Sequence, residues 1–139
     1  MSNRTFLRVL MGYVAGGHLF TGLFCMLGRK GIERIVAPLY GARFVPDAQL
    51  SHIARPTGAF VAGLGLMQLL AVRDPDRHGE VIDGTLVILF LRTLQRIVHR
   101  RDVTRIFNIS PARHYLMTAH FGALALVLLL ARLRETDAD

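Results

Sequence analysis

Three side chains combine reactive chemistry with an apolar setting. His18 lies inside an apolar run from Val9 to Gly28, His120 inside another from Ala112 to Ala131, and Arg92 interrupts a third. Two opposed histidines at one depth are what a bis-histidine haem b requires, and they would be metal ligands only through that iron. Arg92 could then pair with a propionate, while Gly16, Gly17 and Gly122 would leave room for the ring. The same residues suit a quinone, with histidine and arginine as donors to its carbonyls. The plainer account is that each histidine bonds a backbone carbonyl, a water or a neighbouring hydroxyl, with Thr21 and Thr118 as local partners. Ionisable residues within a membrane are costly, which is reason enough to raise a functional hypothesis. The default expectation is no cofactor, and haem b or quinone is the alternative.

The elements that would carry these residues are long apolar helices. Twenty residues from Val9 to Gly28, at ~1.5 Å each, span ~30 Å, the thickness of a bilayer's hydrocarbon core. A second span covers about 54–72, with Pro56 expected in its first turn, where a missing N–H costs nothing. A third covers 81–98, and a fourth covers 112–131 behind the Ser110-Pro111 cap signal. Between spans one and two, Ile32, Ile35 and Val36 recur at helical spacing until Pro38, which predicts a short interfacial helix. The expected fold is thus all-α: an integral membrane four-helix bundle, one domain over 1–139.

Depth along the spans brings the three residues level. His18 is nine residues into span one, ~14 Å from the side of the termini. Span four runs the other way, and His120, eleven residues before Ala131, lies ~17 Å from that same side. Arg92, eleven residues after Val81, falls at a similar level. Span three also carries one polar face through Arg92, Gln95, Arg96 and His99. Snorkelling to the headgroups accounts for Arg96 and Arg100. It accounts less well for Arg92, since Asp83 is nine positions away, and an anionic group from lipid, ligand or partner would balance it. His52 and His114 fall at span starts, where solvated positions are expected, and His78 falls in a polar turn.

Small residues at four-residue spacing allow spans to approach closely: Gly12 and Gly16, Gly58 and Ala62, Ala59 and Gly63, Ala119 and Ala123. The net charge is +7, yet 16 of the 17 basic residues are arginines, most of them beside apolar runs. Lipid phosphates are the expected counter-charges, and no nucleic-acid-binding pattern is present. Eleven basic residues fall on the side of the long connections and six on the other, which places both termini outside the cytoplasm. Cys25 is the only cysteine, so neither an intrachain disulfide nor a CxxC site exists. The first run lacks a small-x-small cleavage pattern and is read as a retained helix. The acidic end, Glu135 to Asp139, is expected to fray and to be dispensable.

No nucleophile elbow, HExxH, P-loop or intramembrane carboxylate pair is present, which weighs against an enzyme. No broken-helix pair suggests a transporter. The stretch Pro56 to Pro75, PTGAFVAGLGLMQLLAVRDP, together with Pro38-Leu39-Tyr40-Gly41 and Arg92-xxx-Arg96, resembles DoxX-like small four-helix membrane proteins. That resemblance implies the four-helix membrane fold, and it carries no catalytic residue over to this chain. Two functions follow as expectations. The first is a non-catalytic subunit or assembly factor of a larger membrane complex, with lipid and other subunits or further copies of itself as partners. The second is a redox protein holding haem b or quinone among His18, Arg92 and His120. Arginine-rich, lysine-poor usage leans towards a bacterial inner membrane.

Overall fold

The computed structural model describes residues 3–136, with side chains described to residue 134. The acidic tail expected to fray lies, for its side chains, outside that range. Every element among the described residues is helical. Helix α1 (Asn3–Met26) is followed by α2 (Arg29–Gly31), a π-helical turn (Ile32–Val36) and α3 (Ala37–Tyr40). Then come α4 (Ala48–Arg73), α5 (Gly79–Val98), α6 (Arg100–Ile106) and α7 (Pro111–Thr136). The four long helices pack in a ring, α1 against α4, α4 against α5, α5 against α7 and α7 against α1.

Three helices, Asn3–Met26, Ala48–Arg73 and Pro111–Arg134, are long and apolar enough to cross a membrane. Less than a third of each apolar window is buried inside the molecule, so most of that surface is left for lipid or a partner. Helix α5 is long enough but less apolar, because Glu80, Asp83, Arg92 and Arg96 all lie within it. The four apolar runs are therefore four helices, of which three have the composition of spans.

Helix ends differ from the apolar boundaries, because backbone hydrogen bonding does not stop where hydrophobicity does. Helix α1 starts at Asn3 and takes in Arg4 and Arg8 before the apolar run begins. It ends two residues before Gly28, whose positive φ of 65° turns the chain. Pro56 is not in the first turn of α4. Asp47 caps that helix nine residues earlier, its carboxylate accepting from the Leu50 N–H at 2.7 Å, so Pro56 lies in the interior. Asp47→Ala should cost about 1 kcal/mol, the usual worth of an N-cap, and lower the thermal midpoint followed by circular dichroism. Nor does Pro38 end the helical segment of the first connection. It sits in the first turn of α3, where a proline is tolerated, and the chain turns only at Gly41, with φ 72°.

Helices α1 and α4 touch backbone to backbone. A Cβ added to Gly22 would fall 2.4 Å from the Ala62 nitrogen. One added to Gly58 would fall 2.6 Å from the Gly22 oxygen, and Gly65 faces Leu19 with the same tightness. Of the small residues singled out by spacing, Gly58 and Ala62 lie at this contact. Nothing lies within 4 Å of a Cβ at Gly16 or Gly63, Gly12 has only Val72 at 4.0 Å, and Ala119 and Ala123 are exposed.

The core runs through Leu7, Met11 and Val14 of α1, Ala71 of α4, Ile82 and Leu89 of α5, and Phe121, Ala125 and Leu128 of α7. Polar ties fasten the end that carries the termini. Arg4 pairs with Asp76, Arg8 donates to the Arg73 carbonyl at 3.1 Å, and Arg132 meets Asp83 at 3.1 Å. At the other end the two longer connections close on each other. Ala37, Ala42 and Ile109 are buried there against Phe44, Val103 and Phe107, and Arg113 donates to the Leu39 carbonyl at 2.7 Å.

Candidate functional site

A cavity of about 720 Å³ lies between α1, α5 and α7, with α3 closing one end. His18, Arg92 and His120 all border it, as do Gly16 and Gly17. Its remaining wall is mostly apolar, with Leu89, Leu116 and Phe121 among the lining. A volume of this size with a few convergent polar groups has the form of a small-molecule site.

His18 is held by a polar chain that crosses three helices. The Thr85 hydroxyl donates to the Val81 carbonyl at 2.8 Å, which spends its only proton. Its oxygen therefore accepts from the Gln68 amide nitrogen, 3.0 Å away. That turns the amide oxygen of Gln68 towards His18, 2.8 Å from Nδ1. A carbonyl oxygen can only accept, so Nδ1 carries a proton, and a neutral ring then has its lone pair on Nε2. Gln68 is 0% exposed, Thr85 1% and His18 7%, so each bond is made away from water, where an unpaired partner would be costly. Thr21 is not the partner of His18; it borders the cavity instead.

His120 faces α1 one and a half turns away from His18. Its Nε2 lies 3.3 Å from the Tyr13 hydroxyl, with the two rings edge to face. Tyr13 precedes His18 by five residues, or ~7 Å along the helix. Thr118 is again not the partner, since it donates to the His114 carbonyl at 2.9 Å within its own helix.

Arg92 donates to the Tyr40 hydroxyl at 2.7 Å and lies over the Phe121 ring, 4.3 Å from its centroid. Tyr40 reaches in from α3 and stacks on Phe121, so the first connection supplies part of the site wall. Arg96, one turn on, is buried rather than snorkelling outward. His114 is buried at 1% exposure, not solvated, and its Nδ1 finds no partner.

Gln68, Thr85, Tyr13 and Tyr40 are the site residues that spacing alone does not reveal. A signal existed for Gln68, the one amide in the apolar run Val61 to Val72. Tyr40 lies beyond Pro38, where the helical spacing of Ile32, Ile35 and Val36 stops, and stands out only as part of the Pro38-Leu39-Tyr40-Gly41 stretch. Among the described residues, no cluster of three or more histidine, cysteine or acidic side chains is placed to hold a metal ion. Comparisons with protein-family models, curated proteins and solved structures give no match for this chain.

Proposed function

We propose that this chain is a small integral membrane protein that holds a quinone-type ligand, with an apolar body and an oxygen-bearing ring, in the cavity between α1, α5 and α7. The observation that carries this is the convergence of His18, Arg92 and the Tyr13–His120 pair on one largely apolar cavity of about 720 Å³. The lone pair on His18 Nε2 suits a hydroxyl of the reduced ring. The guanidinium of Arg92, with donors beyond the one given to Tyr40, suits a carbonyl of the oxidised ring. Helix α5 would complete a fourth crossing with Arg92 and Arg96 turned to the bundle. The α2–α3 segment would lie in the interface, and a bacterial inner membrane is the natural setting for such a subunit.

Calorimetric titration of the detergent-purified protein with a short-tailed benzoquinone tests this. Saturable binding is expected. His18→Ala should weaken it about tenfold, the worth of one buried hydrogen bond. Gly16→Leu should weaken it as much or more without disturbing the fold, because its side chain would enter the cavity where nothing now stands within 4 Å. Absence of binding, or binding as tight in both variants as in the parent protein, would leave a purely structural subunit as the better description. A haem would announce itself as a Soret band lost in both His18→Ala and His120→Ala. It would also require His120 to release Tyr13 so that its Nε2 could reach the iron.

A further inference from the structure

A second cavity, of about 310 Å³, lies on the other side of the Arg92–Tyr40 pair. The first connection contributes Ile32, Val36 and Ala37 to its wall, α5 contributes Gln95 and Arg96, and α6 contributes Val103. Arg96 is 7% exposed, and its Nη1 is shut off from solvent with no hydrogen-bond partner. Arg92 borders the same space. Neither guanidinium meets a carboxylate among the described residues, whose arginine–carboxylate pairs are Arg4–Asp76, Arg29–Glu33, Arg105–Asp102 and Arg132–Asp83. Among the described residues the Tyr40 and Phe121 rings lie 5.9 and 5.7 Å from the Arg96 guanidinium carbon, and ring faces do not neutralise a buried charge.

We propose that this cavity binds an oxyanion, a phosphate or carboxylate, carried on a short apolar chain, with Arg96 as its principal contact and Arg92 as the second. A guanidinium presents parallel N–H groups that match two oxygens of such an anion, which would satisfy the stranded Nη1. The apolar walls from Ile32, Val36 and Val103 then receive hydrocarbon. Exposed Arg100, Arg101 and Arg105 gather on the adjoining segment and would draw anions towards this end of the molecule. The oxyanion could arrive on a lipid headgroup or as a soluble ion, and the two are separable by experiment. None of this depends on the larger cavity holding a quinone.

The test is calorimetric titration of the full-length protein in a neutral detergent with short-chain phosphatidylglycerol, short-chain phosphatidylcholine and inorganic phosphate. Phosphatidylglycerol should bind saturably and at least tenfold more tightly than phosphatidylcholine. Arg96→Gln should lower that affinity tenfold or more. Val103→Trp, which fills the cavity and leaves both arginines in place, should do the same, and it carries the test should the arginine variant not fold. Val103 does not border the larger cavity, so benzoquinone binding should survive in that variant. Binding of phosphate alone with the same dependence on Arg96 would support the site with a soluble anion as occupant. Equal affinity for the two lipids, or unchanged affinity in both variants, would overturn the proposal.

Discussion

Gly22→Val is expected to prevent the bundle from assembling. The first atom it adds lands 2.4 Å from the Ala62 nitrogen and 2.7 Å from the Gly58 oxygen, and both are backbone atoms of a packed helix. Neither can rotate away, so α1 and α4 must separate along their closest stretch. Overpacking a core usually costs 1–3 kcal/mol, and an obstacle made of backbone puts this substitution at about 3 kcal/mol or more. Loss of the monodisperse peak on size-exclusion chromatography in detergent, or a collapse of the thermal midpoint, would register it. Gly16→Val is the control, since a side chain there meets nothing within 4 Å. If the two variants melted alike, helix flexibility rather than close approach would explain the glycine.

The second large effect is expected from Gln68→Leu. That change removes the acceptor of His18 Nδ1 and the donor to Thr85 Oγ1 in one step. Stranding a buried polar group costs about 1–3 kcal/mol, so a loss of about 2–4 kcal/mol is expected. The same principle predicts a rescue. Leucine at 18 and 68 with valine at 85 leaves no polar group without a partner, and most of the lost stability should return, although benzoquinone binding should not. A triple variant as unstable as Gln68→Leu alone would show that shape, not hydrogen bonding, holds these three positions.

How much of this could be read before the structure depended on which physical quantity was at stake. Rise per residue is nearly constant, so counting along the apolar runs predicts His18, Arg92 and His120 at similar depth; all three border one cavity, but His120 meets α1 at Tyr13, five residues before His18. Rotation about each helix axis is not constant in that sense. It is set by the contact of Gly22 with Gly58 and by the tyrosine reaching in from α3. That is why His18 meets Gln68 and His120 meets Tyr13, instead of the threonines on their own helices. Helix ends were misplaced for a related reason. Apolar runs mark where lipid or core must be, whereas Asp47 and Gly41 mark where hydrogen bonding starts and stops. Arg96 showed the limit of composition most clearly. An arginine near a span end is usually solvated, and only the fold of two connections over it buries its Nη1.

Tyr13, Phe20 and Leu116 border the larger cavity and are themselves exposed, on helices long and apolar enough to cross a membrane. A guest would therefore arrive sideways, out of the oil, without crossing an aqueous vestibule. Its supply would be governed by partition: a compound scarce in water but concentrated in the leaflet would fill the site at bulk levels far below the intrinsic dissociation constant. Selectivity would then begin before any hydrogen bond forms, since water-loving molecules would rarely reach the door.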